Sequence, residues 1–122
     1  MGDNIHPMSR VRILRVYEQP EPGEFRVLVD RLWPRGITKD KVDVWLKDVA
    51  PTAKARSSFN HQAERFLAFQ QDYRAELAAN DAVETLHGLI DAHPHVVLLY
   101  GAKDPVMNQA AVLLEFLNVS GR

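Results

Sequence analysis

The most informative absence in this 122-residue sequence is that of cysteine. Without a thiol the chain forms no disulfide, offers no thiolate metal ligand and has no thiol nucleophile. No apolar run approaches the roughly 18–20 residues that a membrane-spanning helix needs. The start of the chain, "MGDNIHPMSR", also lacks the apolar core of a secretory signal. We therefore expect a cytoplasmic protein with no membrane partner.

An overall excess of charge is missing as well. Lys and Arg together number 15 and Asp and Glu 16, so no global positive field attracts nucleic acid, and nucleic acid is the least favoured partner. Neither a Gly-x-Gly-x-x-Gly fingerprint nor a phosphate-binding P-loop occurs. His93 and His95 have no further ligand nearby in the sequence, whereas a metal site needs three or four. We expect no cofactor and no bound metal.

The length and the ordinary composition, 46% hydrophobic and 25% charged, predict one globular domain. We expect residues 1–9 to form a flexible tail and residues 10–122 to form a single α/β domain. The runs "VRILRVY" at 11–17 and "FRVLVD" at 25–30 are rich in β-branched residues and predict strands. Because the link between them is too short for a parallel crossover, we predict an N-terminal antiparallel β-hairpin.

The rest of the chain alternates helices with a further strand. One apolar face with Phe66, Phe69, Tyr73 and Leu77 predicts an amphipathic helix. The run "VVLLY" at 96–100 is bounded by turn residues and is typical of a strand covered on both faces. The segment 38–51 is ambiguous, and we favour one helical turn followed by a short strand within it. Together these patterns predict a mixed, mostly parallel sheet flanked by helices.

Two strand ends carry unusual sets of polar residues. Ligands of open α/β sheets bind beyond the carboxyl ends of the parallel strands. The residues that follow "FRVLV" and "VVLLY" therefore form a candidate ligand-binding rim. The first strand end supplies Asp30, Arg31, Trp33 and Arg35, and the second supplies Lys103, Asp104 and Asn108.

The chemistry of this rim favours an anionic ligand. Arg31 and Arg35 carry planar guanidinium groups that match carboxylate or phosphate, and Lys103 adds a point charge just before a helix N-terminus. Trp33 offers a ring for stacking. Each residue also has a structural interpretation: the arginines as ion pairs that tie loops down, Trp33 as a packed turn and Asp104 as a helix cap.

Asp30 and His61 are the candidates for proton transfer. Asp30 is the carboxyl group at the end of the second strand. His61, at the start of the long amphipathic helix, is the general-base candidate by residue type. The sequence gives no sign that His61 reaches the strand-end rim.

The segments "DRLWPRG", "HQAERFLAFQQDYRAEL" and "GAKDPVMNQA" resemble the YeaO-like family of small bacterial proteins. The resemblance covers about residues 10–117 and implies a small α/β domain of unknown function. The family pattern also covers Arg56, which the resemblance adds to the candidate anion-binding residues, and His61. Ala55 and Ser58 depart from that pattern. Met107, Asn108 and Gln109 stand where more distant relatives have Cys-His-Arg, so thiol chemistry of that segment does not apply here.

Three functions remain open on these observations. The first is binding of an anionic small molecule, a phosphate or carboxylate, at the strand-end rim, with catalysis left open. The second is a non-enzymatic interaction or oligomer-forming domain, for example a homodimer, which an exposed apolar patch would mark. The third is a nucleic-acid-associated regulator, because some relatives carry regulator labels. The sequence shows no helix-turn-helix with a basic recognition helix to support that third function.

Overall fold

The computed structural model of the chain describes residues 10–59 and 62–119. The predicted tail at 1–9 lies outside the described residues. The strands are β1 (Val11–Arg15), β2 (Phe25–Leu28), β3 (Val44–Trp45) and β4 (Val96–Tyr100), and the helices are α1 (Ala53–Phe59), α2 (Phe66–Ala78), α3 (Ala82–Ala92) and α4 (Gln109–Val119). Among the described residues, every helix is too short or too polar to span a lipid bilayer.

The four strands form one sheet in the order β1-β4-β2-β3, and every pairing in it is parallel. β4 lies in the interior of this sheet, with Val11 opposite Val96 on one side and Phe25 opposite the same residue on the other. All five residues of β4 are buried. The prediction of a strand covered on both faces is therefore confirmed, and so is the small α/β domain.

The predicted N-terminal β-hairpin is wrong, and so is the mixed sheet that it implied. β1 and β2 run parallel, and β4 lies between them. The connection from 16 to 24 has nine residues, which reach about 30 Å when extended. Returning along a five-residue strand and stepping across two strand spacings requires only about 20 Å. The short link therefore permits a parallel return without a helix.

The two faces of the sheet are covered differently. The helices pack on one face, where Val27, Val96 and Leu98 share a buried cluster with residues of all four helices. On the opposite face, Leu14, Val16, Leu28, Val97 and Leu99 form a second cluster that is covered by side chains of the loop after β2, namely Trp33, Ile37 and Val42. Helices thus cover one face only.

The predicted apolar face of the long helix is confirmed. In α2, Phe69, Tyr73 and Leu77 are buried, and Phe66 packs against the same cluster. The Tyr73 hydroxyl donates a hydrogen bond to the Val49 carbonyl at 2.6 Å, inside the core. The helix thereby holds the turn that follows β3.

The ambiguous segment 38–51 contains both elements that the sequence favoured. A single turn of 3₁₀ helix covers Lys39–Lys41, and β3 follows as a two-residue edge strand. A second 3₁₀ turn at Lys47–Val49 then leads to α1, where the Thr52 hydroxyl accepts a hydrogen bond from the Ala55 N–H. The short strand is paired with β2 alone, through Val44 opposite Val27.

The segment "DRLWPRG" forms a packed loop after β2. The Trp33 indole N–H donates to the Ile37 carbonyl at 2.7 Å, Pro34 is buried, and the Tyr17 hydroxyl donates to the Arg35 carbonyl at 2.9 Å. Gly36 has φ of +79°, a left-handed conformation that a residue with a Cβ adopts at a cost. This loop closes the second face of the sheet.

Replacing Tyr73 with Phe should lower the free energy of unfolding by about 1–2 kcal/mol, because the buried Val49 carbonyl loses its donor. The measurement is urea denaturation of both proteins. Tyr17→Phe is the matched control: its hydroxyl bond is exposed, and its loss should cost less than about 0.5 kcal/mol. Equal losses for the two variants would contradict the buried role of Tyr73.

Two glycines should respond in opposite directions to alanine. Gly36→Ala should lower the free energy of unfolding by about 1 kcal/mol, because φ there is +79° although the space beside it is open. Gly88 lies within α3, has no positive φ and meets nothing within 4 Å, so Gly88→Ala should raise that energy by about 0.5–1 kcal/mol. Thermal denaturation of the two variants measures both signs.

Candidate functional site

A cavity of about 650 Å³ opens beyond the carboxyl end of β4. α1 and the start of α2 form one side of it, and the segment from Gly101 to the first residue of α4 forms the other. This position is the one predicted from the sequence, because ligands of open α/β sheets bind beyond the carboxyl ends of the parallel strands. Four of the predicted site residues line the cavity: Arg56, Lys103, Asp104 and Asn108.

Part of the cavity lining is apolar and largely aromatic. Phe59 and Phe69 line it together with Met107 and two alanines, Ala63 and Ala102. The rings of Phe59 and Phe69 stack with their centroids 5.3 Å apart and an interplanar angle of 29°. A flat apolar wall of this kind suits the ring or hydrocarbon part of a small ligand.

The two cations on the cavity wall form no ion pair with the residues that the structure describes, although the charge of Arg56 acts on the buried Asp30. Arg56 lies in α1 and Lys103 in the turn after β4, and both are exposed. Neither side chain forms an ion pair or a hydrogen bond with residues 10–59 or 62–119. Their charges are therefore available to a ligand in the cavity.

Asp104 and Asn108 hold the backbone of the cavity wall. The Asp104 carboxylate accepts hydrogen bonds from the N–H groups of Val106 and Met107 at 2.9 and 3.0 Å, and these bonds lower its pKa. The Asn108 side chain accepts from the Ala111 N–H at 2.9 Å and donates to the Asp104 carbonyl at 2.8 Å. Both polar groups are thus occupied within the fold.

The predicted helix cap needs a correction. α4 begins at Gln109, and the bond from the Ala111 N–H to Asn108 makes Asn108 its N-cap. Asp104 caps only the turn that precedes the helix. The sequence predicted Asp104 as the cap, because Pro105 after it favoured the earlier helix start.

Asp30 does not line the cavity but is hydrogen-bonded to two residues that do, Gly101 and Gln109. One carboxylate oxygen accepts a hydrogen bond from the Gly101 N–H at 2.8 Å, and the other accepts from the side-chain amide of Gln109. Burial raises the pKa of Asp30 to about 6, against the opposing effects of the Gly101 hydrogen bond and the positive charge of Arg56. Asp30 therefore joins the ends of β2 and β4 to the start of α4.

The other predicted site residues lie apart from this cavity or outside the description. Arg31 donates to the Ala50 carbonyl at 2.9 Å and lines a different cleft, with Asp48 and Glu76. Trp33 packs over the second face of the sheet, and Arg35 is exposed; neither lines the cavity. His61 lies outside the described residues.

Sequence reasoning did not select seven of the residues that line the cavity, and four of these have large side chains: Phe59, Phe69, Met107 and Gln109. Phe69 was assigned to the apolar face of the long helix, and nothing in a linear pattern shows that a core ring also borders a cavity. Gln109 immediately follows the selected Asn108, so extending the strand-end segment by one residue would have found it.

The histidines and acids do not assemble a metal site in the described part of the chain. No group of three or more His, Asp or Glu residues there has an arrangement that could hold an ion. His93 instead stacks on Phe25, with the ring centroids 3.7 Å apart.

Comparison with known proteins places the chain in a family. A family model described as the inactive DUF488-N3 subclade matches residues 10–120. The chain belongs to this family. The family match, together with similarity to an Escherichia coli protein named YeaO, confirms the YeaO-like relationship that "DRLWPRG" and "GAKDPVMNQA" indicated.

Individual relatives of this family member resemble it over nearly their whole length. An uncharacterized protein of Mycobacterium tuberculosis is 42% identical over 113 residues, which cover 90% of this chain and 95% of the relative. The Escherichia coli protein YeaO, also described as uncharacterized, is 36% identical over 110 residues, or 88% of this chain and 96% of the relative. No solved structure matches the chain significantly.

The raised pKa of Asp30 should make part of the stability depend on pH. The folded protein holds a proton on Asp30 more tightly than the unfolded chain, so this contribution is complete below about pH 4 and is lost as the pH rises through about 6. The loss should be about 2 kcal/mol after allowance for partial exposure.

Urea denaturation of the protein and of Asp30→Asn at several pH values measures this loss, because the variant lacks the titrating group. As the pH rises, the free energy of unfolding of the unmodified protein should fall relative to that of Asp30→Asn. A constant difference from about pH 4 to about pH 7 would contradict the assigned pKa.

Proposed function

We propose that the protein binds a small anion that carries an apolar or aromatic group, and that it does not transform this ligand. The observation that carries the proposal is the pair Arg56 and Lys103. These two cations form no ion pair with the described residues and line a cavity whose lining is also partly aromatic. Carboxylate and phosphate are the anionic groups that match them.

The electrostatic part of binding comes from two different kinds of cation. Arg56 contributes a guanidinium that donates two parallel hydrogen bonds to a carboxylate or phosphate. Lys103 contributes a compact charge on a flexible stem, which adapts to the position of the anion. Asp104 also lines the cavity, but its carboxylate is engaged by two backbone N–H groups. The anion therefore meets a net positive wall.

The apolar part of binding comes from Phe59, Phe69 and Met107. Their side chains face a volume of about 650 Å³, within the range of roughly 300–1,000 Å³ that small-molecule sites occupy. Burying a ring against Phe59, which stacks on the buried Phe69, gains free energy from apolar area and from ring geometry. A benzoate or phenyl phosphate has both the charge and the ring that these two walls accommodate.

Four observations favour binding without chemistry. The chain has no cysteine, and the family to which it belongs is described as inactive. Asp30, predicted as a proton-transfer group, is separated from the cavity by Gly101 and Gln109, to which it is hydrogen-bonded. Asp104 and Asn108 are committed to the backbone. Asp104 is the carboxylate among the described residues of the wall, and its hydrogen bonds leave it unavailable to activate a nucleophile.

The two alternative functions have less support. For an interaction domain, Trp45 is the more exposed of the two tryptophans, at 38%. Its indole N–H donates to the Asp30 carbonyl at 2.8 Å, and its ring packs edge-on against Trp33, so it has a role within the fold. For nucleic acid, the net charge of −1 provides no general attraction.

The double variant Arg56→Ala/Lys103→Ala should bind benzoate and phenyl phosphate at least about tenfold more weakly than the unmodified protein, because both anion partners are removed. Titration followed by the amide resonances of Gly101, Ala102 and Lys103 measures the affinity in the unmodified protein. Those of Gly101 and Ala102 measure it in the variant. Arg35→Ala is the matched control, because Arg35 is exposed and does not line the cavity.

The control should bind both probes as the unmodified protein does. Equal affinity of the double variant and the unmodified protein would overturn the proposed role of the two cations. Absence of binding by benzoate, phenyl phosphate and inorganic phosphate to the unmodified protein would overturn the proposed function as a whole.

A further inference from the structure

The polar wall of the cavity contains a side-chain amide that forms a hydrogen bond through only one of its two ends within the described residues. Gln109 is the first residue of α4, is partly buried and lines the cavity. Its amide nitrogen donates to Asp30. The other end of the amide, the oxygen Oε1, accepts no hydrogen bond from the described residues. An amide with one engaged end and one open end can select among ligands.

Asp30 determines which end of the amide is open. An ionised carboxylate can only accept hydrogen bonds, so Gln109 must turn its NH₂ group toward Asp30. The second carboxylate oxygen is held by the Gly101 N–H at 2.8 Å, which prevents the carboxylate from turning away. A Cβ at residue 101 would lie 3.1 Å from this oxygen, so glycine allows the close approach.

We propose that Gln109, oriented by Asp30, presents its side-chain carbonyl oxygen to the cavity and thereby selects anions that also carry an N–H or O–H donor. This inference rests on the proposed function, since Arg56 and Lys103 supply the attraction for the anionic group. Gln109 adds the second requirement. The ligand class becomes hydroxy- or amino-substituted carboxylates or phosphates with an apolar body.

The selectivity follows from the cost of an unpaired polar atom. A ligand that covers Oε1 with an apolar group removes this oxygen from water without replacing the hydrogen bond. A ligand with a donor replaces it. Because Gln109 is only partly buried, the difference should be about tenfold in affinity, far below the discrimination of a fully enclosed site.

Asp30 acts here as a positioning residue. In Asp30→Asn the new side chain can donate through its own NH₂ group, so Gln109 is free to reverse and present its NH₂ group to the cavity. The preference for donor-bearing ligands should then disappear. A purely structural role of Asp30 would change stability but would leave the preference among bound ligands intact.

The experiment compares matched ligands on matched variants. The probes are 3- and 4-hydroxybenzoate, which carry a donor, and their 3- and 4-methoxy counterparts, which do not; affinities are measured by chemical-shift titration. In the unmodified protein at least one hydroxybenzoate should bind about tenfold more tightly than its methoxy counterpart. Gln109→Met, which has a similar length and no amide, should reduce this ratio to about one. Gln71→Met, an exposed position in α2, is the control and should keep the ratio.

Each result decides for or against the inference. A ratio near one in the unmodified protein, or an unchanged ratio in Gln109→Met, overturns the role of Gln109 while leaving anion binding in place. Absence of binding by all four probes overturns both this inference and the proposed function. Loss of the ratio in Gln109→Met and its retention in Gln71→Met supports the inference, even if Asp30→Asn fails to fold.

Discussion

The structure depends on the burial of β4 between the two N-terminal strands. Its five residues pair with β1 on one side, four of them pair with β2 on the other, and none is exposed to solvent. Because the strand is parallel to both neighbours, its carboxyl end lies at the same edge of the sheet as theirs. The segment from Gly101 to Gln109 is thereby delivered to that edge, where it forms one wall of the cavity.

Asp30 couples this edge to the rest of the fold. The loop after β2 sends its side chains to different places: Asp30 to Gly101 and Gln109, Arg31 to the Ala50 carbonyl, and Trp33 to the second face of the sheet. The concentration of polar and aromatic residues in "DRLWPRG" therefore reflects several separate contacts. Only Asp30 reaches the residues that line the cavity beyond β4.

Much of the local structure could be predicted from sequence, because it depends on patterns within one segment. The apolar face of α2, the doubly buried β4 and the short strand near Val44 all follow from the spacing of apolar residues. The strand-end rule also brought Asp30 into the same neighbourhood as Lys103, Asp104 and Asn108. The contribution of Arg56 needed the family resemblance, because no pattern in α1 connects it with a strand end.

What the sequence determined by itself was the identity of the elements and the chemistry available at their ends: no thiol, two arginines after one strand, a lysine after the last strand, and rings on the long helix. The tertiary structure decided the strand order and hence which of these groups meet. A short link suggested a hairpin, yet β4, nearly seventy residues later, separates the two strands. Periodicity records which side of a segment is buried, whereas the partner that buries it is chosen by long-range packing.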